Sequence, residues 1–256
     1  MIESLRMRER LSAGGVVAGP IVNFASAWMV DICAAVGFDF VIVDCEHGPM
    51  SPADIEPMLR AAEAGGISAL VRVSANEPSQ ILRCLDLGAA GIMVPHVDSA
   101  ADAAAAASAM RYPPFGNRGL AGTTRAARYS LGGSSLADYA AAANAGVLLL
   151  AMAETAAAVD SIDAIAATPG VDIVSLGPND LAASMGLTGQ VTHPDVSAAI
   201  DRVVASAKSH GRWVSTVAST AEQARAAIGR GANILVASPS LLFAQAAKPF
   251  LEAVPR

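Results

Sequence analysis

A unit repeated eight times governs what this chain can become: a short β-branched apolar run, a turn, an Ala-rich stretch and a Gly-containing turn. The runs are Val16–Asn23, Phe40–Asp44, Ala69–Val73, Gly91–Pro95, Val147–Glu154, Ile173–Leu176, Trp213–Val217 and Ile234–Ala237. Each is almost continuously apolar, the pattern of a parallel strand buried on both faces. Between them lie Ala- and Leu-rich segments of high helix propensity, among them Pro52–Ala64, Ala100–Met110, Val196–Ser209 and Ala221–Gly231. Ser51 before Pro52, and Thr220 with Gln223 at the third helical position, mark helix starts, and Gly65-Gly66, Gly88 and Gly231 mark ends. This alternation predicts an α/β fold, a (β/α)₈ TIM barrel spanning residues 1–256 as one domain.

Composition fits such a core: 53% of residues are hydrophobic and only 4% aromatic, so Ala, Val, Leu and Ile must fill it. A net charge of −6 argues against nucleic acid or an anionic membrane surface as partner. Cys33, Cys45 and Cys84 are odd in number and unpaired in spacing, which points to filler thiols in a reducing, cytoplasmic setting. Residues 16–22 followed by Ala25-Ser26-Ala27 resemble a leader with its cleavage site, but Glu3, Glu9 and Gly19-Pro20 argue against one. No run reaches the roughly 18 apolar residues of a membrane span.

One segment breaks the alternation. Residues 111–133, RYPPFGNRGLAGTTRAARYSLGG, are long and polar and carry four arginines. A loop of this length in a compact domain is usually functional, so an active-site cover or a subunit contact is expected.

In a barrel of this kind chemistry sits at the C-terminal ends of the strands. Read there, strand two ends in Asp44 with Glu46 and His47 following, and strand three ends near Arg72. Strand five ends in Glu154, and strand six runs into Gly177-Pro178-Asn179-Asp180. Glu154 and Asp180 are hard oxygen donors suited to Mg²⁺ or Mn²⁺. A 2-oxo acid can chelate such a cation, Arg72 can bond the enolate oxygen, and His47, oriented by Asp44, can move the proton. A Schiff base is disfavoured, because the only lysines, Lys208 and Lys248, fall within helical segments. His96, His193 and His210 read as surface or structural residues.

These motifs carry a resemblance. VDCEHGPMS at 43–51, LVRV at 70–73, LDLGAAGIMVPHV at 85–97, RYPPFGNRG at 111–119, AET at 153–155, GPNDLAASMG at 177–186 and HPDV at 193–196 occur together and in order. The chain is similar to the HpcH/HpaI aldolase family, the class II pyruvate aldolases that include 4-hydroxy-2-oxoheptanedioate and 2-keto-3-deoxy-L-rhamnonate aldolases. The resemblance implies a phosphoenolpyruvate/pyruvate-type barrel that joins pyruvate and an aldehyde, or cleaves their 4-hydroxy-2-oxo acid adduct. It implies a divalent cation (Mg²⁺, Mn²⁺ or Co²⁺) on Glu154 and Asp180, with no nucleotide. It further implies enolate stabilisation by Arg72 and a base at His47 assisted by Asp44. Substrate carboxylate would be bound by backbone N–H groups around Gly177, Pro178, Asn179 and Asp180. A hexamer (a trimer of dimers with the last helix exchanged) would bring Asp86 into a neighbour's site.

Met152 and Asn179 depart from the family pattern, which has Gln and Ala there, and Val16–Asn23 and Ser215–Ser219 match it poorly. The product is therefore open. Alternatives are a CoA-thioester lyase of the citrate-lyase β-subunit type, an oxaloacetate decarboxylase or macrophomate-synthase-like enzyme, and a non-catalytic 2-oxo acid binder.

Overall fold

Parallel pairing runs unbroken around the sheet, each strand bonded to the next in sequence and β8 back to β1. The strands are β1 (Val17–Val22), β2 (Phe40–Asp44), β3 (Ser68–Arg72), β4 (Gly91–Val94), β5 (Leu148–Ala153), β6 (Ile173–Leu176), β7 (Trp213–Val217) and β8 (Ile234–Ala237). A computed structural model describes residues 2–255, with side chains from residue 6 onward. The architecture is the expected (β/α)₈ barrel.

Helices lie between the strands: α1 (Ile2–Ser12), α2 (Ala27–Val36), α3 (Pro52–Gly65), α4 (Pro78–Asp86), α5 (Ala100–Met110) and α6 (Leu136–Gly146) in the first half. The second half adds α7 (Ala156–Asp160), α8 (Ile162–Ala167), α9 (Pro178–Ser184), α10 (Pro194–Ser209), α11 (Ala221–Arg230) and α12 (Pro239–Glu252). Their ends obey local chemistry. Thr220 accepts the Gln223 N–H at the start of α11, and Gly231, at φ 114°, closes it in the left-handed conformation. Ser26, within the leader-like tripeptide, is instead the N-cap of α2 and accepts from Met29 N–H.

Two apolar layers hold the barrel. Phe40, Ile42, Leu70, Met93, Leu148, Leu150, Ile173 and Ile234 fill the lumen, and a larger shell of Val, Ile and Ala packs the helices onto the sheet. Helix α1 closes the N-terminal end of the barrel: Met7 and Leu11 join the lumen cluster, Arg8 bonds Asp172 at 2.9 Å, and Arg10 pairs with Asp39.

Residues 111–133 pack at this same closed end. Arg111 donates to Val147 O at 3.2 Å and Asp172 Oδ2 at 3.3 Å, and Arg118 donates to Asp86 Oδ1 at 2.7 Å. Arg125 donates to Leu87 O at 2.6 Å and pairs with Glu63. The segment therefore does not cover the mouth of its own barrel. The reason is directional: α5 runs back against the strands, so the loop leaving it starts at the N-terminal face.

Helix α12 presents large apolar side chains to solvent. None of its residues is buried, and Leu241, Phe243, Phe250 and Leu251 are exposed on it. A second apolar stripe, Phe24, Trp28, Ile32 and Val36, repeats every four residues along α2 and the segment just before its cap, with Trp28 82% exposed. Among the described residues no helix is long and apolar enough to cross a membrane.

Candidate active site

Register sets the first pair. Asp44 and Arg72 end β2 and β3 and lie directly opposite each other in the ladder, so their side chains emerge together at the mouth. Arg72 Nε donates to Asp44 Oδ1 at 2.8 Å and Nη2 to Oδ2 at 2.7 Å, a bidentate fork between two buried residues. Burial works against the Arg72 charge, but the bonds and charges of Asp44, Glu46 and Glu154 outweigh it and hold the guanidinium above its ordinary range. Arg72 is thus a fixed cation.

The second pair flanks a glycine. Glu154 comes directly after β5 and is 2% exposed; Asp180 lies in the first turn of α9, just after β6. A Cβ at Gly177 would come within 3.0 Å of Glu154 Oε2 and 3.4 Å of Asp180 Oδ2, so both carboxylates crowd one glycine that leaves them room. Neither is a helix cap. Thr155 caps α7, and Asp180 sits inside the first turn of α9 without a capping bond. Burial first, and the negative charges of Glu46 and Asp180 after it, push the Glu154 carboxyl above its usual range, against the pull of His96. A buried carboxylate among other carboxylates is the environment that a bound cation relieves.

Sequence reasoning missed the third element. His96 lies just beyond β4 and adopts φ 52°, a left-handed conformation that His tolerates better than most residues. This turn aims its N–H at Glu154 Oε1, 2.8 Å away, and brings Nδ1 to 3.4 Å from the same oxygen. Its Nε2 is 3.7 Å from Glu46 Oε1, and Glu46, His96 and Glu154 together form a set that could hold a metal ion. Glu46 Oε2 lies 2.9 Å from Arg72 Nη1, close enough for an ion pair but not aligned as a hydrogen bond.

Other expected residues fall differently. His47 is at the mouth and exposed, but Asp44 does not hold its imidazole. Asp44 Oδ1 accepts the backbone N–H groups of Glu46 (3.1 Å) and His47 (3.3 Å), and the Arg72 fork takes both oxygens. Asp44 therefore orients the turn and not the ring. Asp86 ends α4 at the far face, bound to Arg118, and in one chain it is separated from the mouth by the length of the barrel. Lys208 and Lys248 sit in α10 and α12.

Inward of the carboxylates is a chamber of about 130 Å³. Arg72, Asp180, Gly177, Pro178 and Asn179 form its polar rim, and Ile21, Met93, Met152, Ser175, Ser215 and Val236 are among its walls. A larger cavity of about 510 Å³ lies between α3, α6 and residues 125–135 at the opposite face. Size alone does not mark the site; the strand-end carboxylates and Arg72 do.

Residues 21–240 match the model of the HpcH/HpaI aldolase/citrate lyase family. The chain belongs to that family. Among its HpcH/HpaI relatives, the hydroxypyruvate/pyruvate aldolase of Sagittula stellata is 42% identical over 195 residues, 76% of each chain. The 5-keto-4-deoxy-D-glucarate aldolase of Klebsiella pneumoniae is 35% identical over 236 residues, 92% of this chain and 91% of that one. An HpcH/HpaI family protein from Burkholderia cenocepacia superposes with a TM-score of 0.91 at 35% identity, covering 96% of this chain and 98% of its own. The expected family and barrel are thus shown, and relatives named as aldolases support a lyase.

Proposed function

We propose that this protein is a divalent-metal-dependent aldolase that forms or cleaves 4-hydroxy-2-oxo acids through the enolate of a 2-oxo acid. The observation that carries the reading is the pairing at one mouth of a fixed Arg72 cation with the Glu154 and Asp180 carboxylates on either side of Gly177. The donor set fits a hard cation: two carboxylates beside a glycine, with Glu154 raised by burial and by its negative neighbours. Such a cation supplies Lewis-acid polarisation of the keto group.

The remaining work falls to the chain. Arg72, locked by Asp44, presents a charge to the substrate oxygen that becomes negative, and a donor fixed in advance needs no reorganisation. The backbone N–H groups of Asn179 and Asp180 precede the first intrahelical bond of α9, from Leu181 N–H to Gly177 O. They are therefore free to receive the substrate carboxylate. His47, exposed at the mouth, takes and returns the C3 proton, directly or through water.

The assembly belongs to the same proposal. The exposed apolar faces of α12 and of Phe24, Trp28, Ile32 and Val36 support a homo-oligomer, and the family resemblance extends this to an exchanged α12 and a trimer of dimers. Within it Asp86 would reach a neighbouring mouth. Mg²⁺, Mn²⁺ or Co²⁺ would serve as cation, and a 2-oxo acid with an aldehyde as substrates.

The direct test is release of pyruvate from synthetic 4-hydroxy-2-oxo acids, followed with lactate dehydrogenase and NADH. The reading expects release with added Mn²⁺ and none in EDTA. Turnover of a CoA thioester, with 4-hydroxy-2-oxo acids inert, would contradict it.

A further inference from the structure

The lumen wall beneath the carboxylates holds a polar atom that the mechanism above leaves without use. Ser215 on β7 is 0% exposed, and its Oγ has no hydrogen-bond partner among the described residues. It lines the chamber together with Arg72, Met152, Ser175 and Asp180. Cross-strand register places it beside Ser175 on β6, and Ser175 beside Met152 on β5. The wall therefore reads thioether, hydroxyl, hydroxyl. A buried hydroxyl without a partner is costly, and an Ala there would fill the space without that cost. A ligand that brings the missing partner accounts for a serine at this position.

We propose that the chamber selects 2-oxo acids carrying a hydroxyl on C3, and that Ser215 is the specificity-determining residue that bonds it. The inference rests on the reading that a 2-oxo acid binds at this mouth. With its carboxylate and keto groups held at the polar rim, a small acid in a chamber of about 130 Å³ turns its C3 substituent toward the walls. Besides Ser175, Ser215 and Thr216, those walls are apolar: Ile21, Met93, Met152, Leu176, Val217 and Val236. A methyl group leaves Ser215 Oγ unpaired. A C3 hydroxyl satisfies it, because each of the two hydroxyls can donate to or accept from the other.

The chemistry tolerates this contact. Enolisation breaks one C3–H bond, the proton goes to the base, and the electron pair forms the C2–C3 double bond while the keto oxygen becomes the enolate oxygen. The C3 hydroxyl is retained in the plane of the enolate, so a bond to Ser215 leaves the reacting faces free.

The test compares 3-hydroxypyruvate with pyruvate as probes. C3-proton exchange in D₂O is measured for the metal-loaded wild type and Ser215→Ala, each corrected for the uncatalysed rate. Wild type is expected to show the lower KM for 3-hydroxypyruvate. In Ser215→Ala the ratio of kcat/KM values, 3-hydroxypyruvate over pyruvate, should fall roughly tenfold, chiefly through KM, as for loss of one buried hydrogen bond. The variant should melt at or above the wild-type temperature, since no bond within the protein is lost. Exchange of both probes with a ratio unchanged by the substitution overturns the assignment. So does a wild type that prefers pyruvate, or a variant that melts several degrees lower, which would show the hydroxyl satisfied within the fold. Failure of wild type to exchange either probe overturns the underlying 2-oxo acid reading instead.

Discussion

Arg72 and Asp44 are joined by two parallel hydrogen bonds, 2.8 and 2.7 Å long, at the ends of adjacent strands and almost wholly out of water. Such a pair is a weak source of net stability but costly to break on one side, because the survivor is left as a buried charge. Asp44→Ala is expected to lower unfolding free energy by about 3–5 kcal/mol, read by urea titration. Arg72→Lys keeps the charge but loses the fork, so kcat should fall by roughly 10² while the fold survives.

Glu154→Gln keeps shape and removes charge from the carboxylate that both Asp180 and the Glu46–His96 pair approach. Mn²⁺ affinity, read from the free-ion EPR signal, should drop by an order of magnitude or more, as carboxylate ligation is lost. His96→Gly, which takes the left-handed backbone without strain, keeps the N–H that bonds Glu154 and removes the imidazole. A fall in Mn²⁺ affinity there as well would make the imidazole a ligand, and an unchanged affinity would leave ligation to the carboxylates.

Trp28 is 82% exposed within the α2 stripe. Trp28→Glu puts a charge into a face proposed to lie between subunits. It should lower the mass measured by light scattering after gel filtration, with the far-UV CD spectrum unchanged. A wild type that is monomeric at micromolar concentration would remove the basis for the exchanged helix.

Cys33 and Cys84 are buried, and burial pushes the Cys84 thiol up to about 12 and the Cys33 thiol upward as well. Thiolate is the reactive form, so neither should react with a disulfide reagent at pH 8 within minutes. Both should react promptly in guanidinium chloride.

Much of the fold is legible in the sequence because the two signals that govern it are local. Phe40–Asp44, Ile173–Leu176, Trp213–Val217 and Ile234–Ala237 are short, mostly apolar runs bounded by turn residues, and they form strands with those bounds. Asn23 and Glu154 read as strand ends but leave the ladder, because each belongs to the adjoining turn. The mouth residues Asp44, Arg72, Glu154 and Asp180 can be found by strand-end position alone. The same rule applied to β4 would place His96 there; its left-handed backbone, which carries the contact to Glu154, leaves no trace in composition. Residues 111–133 resemble a lid only when length and charge are weighed without asking at which face α5 ends. Asp86, at the end of α4, obeys the same directional rule.

If the mouth makes an enolate with a cation and Arg72, hydrogen exchange at C3 needs no aldehyde. Purified protein is incubated with pyruvate in D₂O with Mg²⁺, Mn²⁺ or Co²⁺, and again with EDTA, and the methyl signal is followed by ¹H NMR after any paramagnetic ion is chelated. Metal-dependent loss of that signal is expected, slowed by roughly 10² or more in Arg72→Ala. Exchange that persists in EDTA, that is untouched by Arg72→Ala, or that fails with every cation would refute the enolate mechanism.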